Sequence, residues 1–431
     1  MTTSLNIALA PEHLDDGSPE ERAAFGLFTI RAGNVSLTEG FDFYADALRA
    51  GPLVSGYHAA EWFAANWWRI RYEPYAPRVS DWWRAHRLNA IGEGYVWPNI
   101  TFRTDGVRAV VVAEPSVNPE AKPFRYVGAQ PWLGPARDLE QAIDSFIPRI
   151  LARLRDQDVG PTNLDMLWSE LRGERADPEI AERRRLEALL GRDPDEIEDG
   201  AIDSLLADRA RLGDAALTEL AADAAGGPPV RGTALQDIAG RSGIAVNRRD
   251  AVRLTAASLA AAHKREHAWQ QGQRAAQELR RANLVEGDRV ETGALLDMLG
   301  ASGAIEQSGG AAPLSYLLAG VGKAGHIVLR SKWRTGQRFE LARLLGDLML
   351  FGKDATLLPA TRAYTFRQKA QRSFAAEFLS PFEAVDEMMS GDTSAEAIED
   401  AAEHFDVSSQ TIETLLRNHG RLEREPMADA A

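Results

Sequence analysis

Two groups of residues in this chain have the types and spacing to do chemistry. The first is His263-Lys264-Arg265-Glu266-His267. On a helix, two imidazoles four residues apart share a face and can hold a metal, and a carboxylate beside the second can move a proton for a bound water. That makes His263, Glu266 and His267 a candidate zinc-peptidase site. Lys264 and Arg265 interrupt the pattern, the flanking sequence is alanine-rich, and a third ligand is undefined, with Glu340 only a distant candidate. The plainer reading is a pair of solvated or helix-capping histidines.

The second group is a local reversal of charge. Residues 321–343 hold Lys323, Arg330, Lys332, Arg334, Arg338 and Arg343 against one acid, Glu340, and residues 360–376 hold Arg362, Arg367, Lys369 and Arg372 with no acid. The whole chain carries a formal charge of −14, so such a basic concentration stands out. If the two segments converge, Arg338, Arg343, Asp347, Arg367 and Arg372 would line an anion site. Guanidinium groups grip phosphate or carboxylate through paired hydrogen bonds. The plainer reading is a set of separate surface charges, each paired to a nearby acid.

Composition bounds the rest. The chain has 431 residues, enough for two or three domains with full cores. The acidic balance argues against a nonspecific grip on nucleic acid. Cysteine is absent, which removes disulfides, thiolate nucleophiles and Cys-ligated zinc, and suits a reducing cytosol. The N-terminal residues show neither the basic start nor the long apolar stretch of a signal peptide, and no apolar run is long enough for a membrane span. These features together predict a cytoplasmic location without a membrane partner.

Periodicity then supplies the elements. Phe25 to Arg31 alternates like a strand, Ala32-Gly33-Asn34 is turn chemistry, and Val35 to Thr38 resumes the strand. Ile100 to Arg103 and Val107 to Val112 flank Thr104-Asp105-Gly106, a hairpin signal, because Asp and Gly tolerate positive φ. Seven of the ten tryptophans fall between residues 62 and 132. They suit either a ligand platform or, as the preferred reading, the core of a small domain. Residues 138–158 have the spacing of an amphipathic helix, through Leu139, Ala142, Ile143, Phe146, Ile150, Leu151 and Leu154.

Residues 161–224 read as further helices, with a start at Asp177-Pro178 and a stop and restart at Gly191-Arg192-Asp193-Pro194. Gly226-Gly227-Pro228-Pro229 is the strongest linker signal. Leu235 to Ile244 then resembles the first half of a helix-turn-helix, with a recognition helix expected from Asn247 to Arg253, although a helical hairpin without a DNA role fits the acidic surroundings better. Residues 325–330 read as a strand, 337–350 as a helix, 352–361 as a loop and 366–378 as a long helix ending at Ser380-Pro381.

Three segments between Trp269 and about His419 carry a resemblance to the ImmA/IrrE family of metallopeptidase-like proteins. Trp269 to Arg280 is similar to the family's leading helix. Arg338-Phe339-Glu340-Leu341-Ala342 and the following turn resemble the stretch that carries its H-E-x-x-H motif. Ser373-Phe374-Ala375-Ala376-Glu377-Phe378-Leu379-Ser380-Pro381 resembles its Phe-Ala-Ala-Glu-x-Leu-x-Pro signature, and residues 404–412 resemble its closing helix pair. The resemblance implies a zincin-like fold with the first histidine at Arg343, the glutamate base at Leu344, the second histidine at Asp347 and the third ligand near Gln368 or Lys369. An arginine does not ligate zinc and a leucine moves no proton, so the implied peptidase chemistry is not carried over. What the resemblance carries is a setting in mobile elements, phage-related regulation or stress response.

These readings predict an α+β chain. Its parts are a β-rich, Trp-rich domain over 1–158, a helical region over 159–225, a helical hairpin or helix-turn-helix over 230–267, a mostly helical zincin-like domain over 268–420 and a flexible tail over 421–431. The expected function is a non-catalytic cytosolic regulator or sensor without metal or cofactor, binding a protein partner or a small anion or nucleotide. It would belong to a prophage, defence or toxin–antitoxin-like system. The alternatives are a zinc metallopeptidase built on His263, Glu266 and His267, and a DNA-binding transcriptional regulator.

Overall fold

A computed structural model describes residues 4–118, 120–224, 227–282, 289–303, 305, 312–320, 324–352 and 355–423. The fold is mixed α and β, with strands concentrated early and helices dominating the C-terminal part. The chain divides after Glu198 into two compact units. The expected helical region 159–225 is therefore shared, with residues up to 198 in the first unit and the remainder in the second. Gly226 of the expected linker lies outside the described residues, as do residues 424–431 of the expected tail.

In the first unit the strands are β1 (Leu5–Pro11), β2 (Phe25–Ala32), β3 (Val35–Ser36), β4 (Gly40–Asp42), β5 (Ala47–Arg49), β6 (Leu53–Ser55), β7 (Asn99–Thr104), β8 (Arg108–Glu114), β9 (Phe124–Tyr126) and β10 (Trp132–Pro135). Its helices are α1 (Pro19–Ala23), α2 (Gly56–Ala65), α3 (Trp67–Tyr72), α4 (Ser80–His86), α5 (Ala136–Asp156), α6 (Asn163–Ala176) and α7 (Pro178–Leu189). The strands form three small antiparallel sheets: β1-β2-β3 with β6 also on β2, β10-β8-β7, and β5-β4-β9.

The Asp105-Gly106 turn joins β7 to β8 as its sequence predicts. Gly106 has φ +91°, and the Asp105 carboxylate accepts from the amides of Val107 and Arg108. The amphipathic helix α5 packs across β1, β8 and β10 with its Leu139–Ile143–Phe146–Ile150–Leu154 stripe buried. Trp67, Trp68, Trp82, Trp97 and Trp132 are all buried, so the tryptophan cluster is core and not an open ligand platform.

The second unit contains β11 (Ile244–Asn247), β12 (Ala301–Ser302), β13 (Ser315–Ala319), β14 (Ala324–Val328) and β15 (Leu357–Ala360). Its helices are α8 (Asp199–Leu212), α9 (Asp214–Ala224), α10 (Gly232–Ser242), α11 (Ala256–His263), α12 (Ala268–Ala282), α13 (Thr292–Leu299), α14 (Arg334–Phe351), α15 (Phe366–Leu379), α16 (Phe382–Met389), α17 (Ala395–Phe405) and α18 (Ser409–Asn418). The five strands form one antiparallel sheet in the order β12-β11-β14-β13-β15.

Alternation along the strands gives this sheet two faces. Leu317, Ile327 and Leu358 join the main core with α12, α14 and α15. Their neighbours Tyr316, Val328 and Leu357 join a smaller cluster with Ala216 and Leu220 of α9 and Leu235 and Ala239 of α10. The sheet corrects two expectations. The segment 352–361 is not simply a loop, because it contains the edge strand β15. Residues 244–247 form β11 between β12 and β14, so no recognition helix follows α10 at Asn247. In both places short apolar runs without helical length were claimed by pairing partners distant in sequence.

The main core depends on close helix contact. A Cβ on Gly272 of α12 would lie 2.2 Å from the Ala370 carbonyl oxygen and 2.7 Å from the Phe374 nitrogen, both backbone atoms of α15. Alanine in a free helix interior is favoured over glycine by about 1 kcal/mol. Here the sign should reverse. Gly272→Ala is expected to destabilise the protein by about 1–3 kcal/mol through forced separation of α12 and α15, measured by urea denaturation. Equal or greater stability would mean that the two helices adjust freely.

Candidate functional site

Helix α14 is apolar on most of its circumference, and Leu341, Ala342, Leu344 and Leu345 are all fully buried. It presents Arg343 and Asp347, one turn apart, toward the first two turns of α15. Thr365 starts α15 by accepting from the Gln368 amide. The turns that follow direct Arg367, Gln368 and Gln371 back toward α14, while the end of β15 supplies the Pro359 carbonyl and leads to Thr361. A buried polar cluster results, closed by protein groups on every side that these contacts define.

Its strongest element is a two-pronged ion pair. Arg367 donates from Nε to Asp347 Oδ1 and from Nη2 to Asp347 Oδ2, both at 2.7 Å, with Asp347 fully buried. Burial opposes the charge on Arg367, but the Asp347 carboxylate outweighs it and holds the guanidinium above its ordinary range. The i, i+4 pairing of Arg343 with Asp347 that helical spacing suggests is not made. Asp347 is captured across the interface by Arg367, whose fork matches both carboxylate oxygens.

Arg343 instead meets neutral acceptors. Its Nη2 donates to the Thr361 carbonyl at 2.6 Å, to Gln368 Oε1, and at 3.3 Å to Gln371 Oε1. The two glutamines are fixed in turn, since both Nε2 groups donate to the Pro359 carbonyl at 2.9 and 3.1 Å. Arg343 Nε is buried without a hydrogen-bond partner among the described residues. Burial, with the nearby Arg372 charge, pushes the Arg343 guanidinium down to about 9. Among the described residues, no carboxylate is in ion-pair contact with it.

Arg372 lies at the margin, donating to the Ala363 carbonyl at 3.1 Å beside the Tyr364 ring, and burial lowers its affinity for the proton. Thus Arg343, Asp347, Arg367 and Arg372 come together, as an anion-site reading requires. Arg338 does not join them. It points elsewhere, donating to the carbonyls of Val290, Phe405 and Asp406 and to Thr292 Oγ1, with the Asp406 carboxylate 3.3 Å away. Five residues before Arg343, it occupies a different side of α14.

Other bases of the two segments are also engaged. Glu340 accepts from the amides of Arg330 and Ser331 and lies 3.7 Å from the Arg330 guanidinium, and Arg334 pairs with Asp406 at 3.0 Å. Lys323 lies outside the described residues.

The sequence reading missed the acid that closes the cluster. Glu219 of α9 is 4% exposed and accepts from Thr365 Oγ1 at 2.7 Å. Burial raises its proton affinity, while the charge of Arg367 and hydrogen bonds from Thr365 and Gln368 pull it back. One turn further on, Asp223 accepts from the Arg362 amide at 2.7 Å. The available signal was an isolated carboxylate within the apolar run 216–222, with a second acid at i+4.

The His263-x-x-Glu266-His267 pattern is not a helical metal face. Helix α11 ends at His263, Glu266 and His267 fall in the connection to α12, and His267 stacks near Trp269. Without a continuous helix the four-residue spacing loses its one-face meaning. Among the described residues, no group of three or more His, Asp and Glu side chains is placed to hold a metal ion.

The chain matches no family model, no curated protein and no solved structure. The geometry alone carries the chemistry.

The paired charges make a quantitative expectation. Removing either partner of a buried ion pair leaves the other uncompensated, at a cost of about 3–5 kcal/mol. Asp347→Ala and Arg367→Ala should each destabilise by that amount, and the double variant by clearly less than the sum. A urea double-mutant cycle tests this; additive losses would show that the two side chains do not act as a unit.

Proposed function

We propose that this chain is a non-catalytic regulator or sensor whose second unit is a degenerate relative of the ImmA/IrrE-like metallopeptidases and binds a protein partner. One observation carries the reading. Positions 343, 347 and 368, which the sequence resemblance assigns to metal ligands, gather at one buried locus and carry Arg, Asp and Gln. Of the two positions considered for the third ligand, it is Gln368 that meets Arg343. Arg343 bonds to Gln368 and Asp347 to Arg367, so groups that engage the protein itself stand where the resemblance would put metal ligands.

Arg343, Leu344 and Asp347 offer neither a metal-bound water nor a base beside it. A protein partner is favoured over a free small anion because Arg367 turns both prongs to Asp347 and Arg343 Nη2 is already engaged inside the protein. The setting in a prophage, defence or toxin–antitoxin-like system rests on the same resemblance, as does the cytoplasmic location with the absence of cysteine. Among the described residues no helix is long and apolar enough to cross a membrane.

Metal analysis is the direct test. Chain purified after growth in zinc-supplemented medium is expected to hold well under about one zinc per molecule, with no change in His263→Ala. One zinc per chain, lost on substitution of His263, would replace this reading with an active metallopeptidase.

A further inference from the structure

Helix α9 brings two carboxylates, four residues apart on one face, to the start of α15 and the segment before it. Glu219 receives the Thr365 hydroxyl within the field of Arg367, and Asp223 receives the Arg362 amide on the side of Arg372. Asp347 pairs with Arg367 within the helix pair, Glu340 of α14 acts on Arg343 alongside Arg330, and α9 adds Glu219 in the field of Arg367 and Asp223 in that of Arg372. Without α9 the locus would lose both of these carboxylates from beside the amino end of a helix, where anions are favoured.

The apolar support of α9 is separate from that locus. Ala216 and Leu220 pack in the smaller cluster on the other face of the sheet, whereas α14 and α15 are held by the main core. A glycine in the left-handed region, Gly213 with φ +86°, joins α9 to α8, and Gly227-Pro228-Pro229 follows it. The apolar contacts of α9 are thus with the smaller cluster, and those of α14 and α15 with the main core.

We propose that the start of α15, with Arg343 behind it, is a binding site for an acidic helix, which α9 fills in cis and a partner's helix fills in trans. The inference rests on the reading of this locus as a partner site and names the partner's chemistry. The incoming helix carries two carboxylates at i, i+4 with small apolar residues beside them, copying Glu219, Asp223, Ala216 and Leu220. Exchange of one carboxylate pair for another keeps the buried arginines compensated throughout, which a neutral or basic segment cannot do. Docking of α9 is then an autoinhibitory contact.

The test uses the full chain and a labelled synthetic peptide of residues 211–224. In the chain carrying Glu219→Gln and Asp223→Asn, amide hydrogen exchange should rise over α9 and stay unchanged over α14 and α15. The peptide should bind this variant about tenfold more tightly than the wild-type chain, whose own α9 competes for the site. A peptide with both acids neutralised should bind neither chain.

The proposal is overturned if α9 stays as protected as in the wild type, if the peptide binds both chains equally or neither, or if the neutral peptide binds as well. Loss of protection in α14 together with α9 also overturns it, since α9 would then be part of one cooperative core. If the double variant does not fold, Asp223→Asn alone, at the more exposed end of the contact, carries the same exchange measurement. Neither readout involves metal, so zinc found at His263 would refute the non-catalytic reading and leave these results standing.

Discussion

The second unit depends on how it keeps arginine inside a core. Asp347 is fully buried, and a lone carboxylate there would cost several kcal/mol in lost hydration. Arg367 meets both of its oxygens, so the pair exists only while α14 and α15 stay in register. That register in turn places Gln368 and Gln371 against Arg343 and orients the Pro359 carbonyl toward both amides. The polar cluster is thus a set of mutual dependencies. Shifting either helix by a residue would orphan an acid and two bases at once, a stronger constraint on alignment than apolar packing alone.

Close packing supplies the other half of that constraint. Gly272 admits the backbone of α15, and a Cβ on Gly346 of α14 would lie 2.6 Å from atoms of the Phe374 ring. Both glycines admit α15 at Phe374, one from α12 and one from α14, and set its distance from those helices. Bulk at either place would move the side chains of α15 relative to Asp347 and Arg343. The apolar frame therefore serves the polar cluster by setting distances, and the cluster serves the frame by fixing register.

Much of this was readable from sequence where local chemistry decides. The Asp105-Gly106 hairpin, the stripe on α5, the Asp177-Pro178 helix start and the extents of α14 and α15 each follow from a few adjacent residues. The gathering of Arg343, Asp347, Arg367 and Arg372 was expected only through the family resemblance, and Arg338, expected with them, lies elsewhere. What escaped was set by distant partners. Strands β11 and β15 are four residues each, and only pairing with β14 and β13 makes them strands. Arg338 has the same spacing credentials as Arg343, yet the carbonyls at the turn between α17 and α18 capture it. Asp347 had a nearer arginine on its own helix and took one twenty residues away, because a two-pronged contact outweighs a single-turn neighbour. Glu219 was invisible as a site residue because a carboxylate on an alanine-rich helix ordinarily faces water.

The arginines do not constitute an open anion site, because acceptors of the protein already meet them. Three guanidinium groups in one protein interior repel each other, and burial raises the cost of each charge. A fold can relieve that by exposure, by deprotonation or by bringing in acids. Exposure is excluded by the packing of α14, and arginine stays protonated near neutral pH even with its affinity reduced to about 9. Acids are what remain. Asp347 supplies one within the helix pair, and α9 adds Glu219 and Asp223 at the start of α15 and the segment before it. Compensation drawn in part from a neighbouring helix ties the charge state of the locus to that helix's position. A protein that needed only a stable core would gain more from apolar residues at 343, 347 and 367. Retaining a cationic locus whose balance depends on a neighbouring acidic helix is intelligible as recognition, with the acid as the feature recognised.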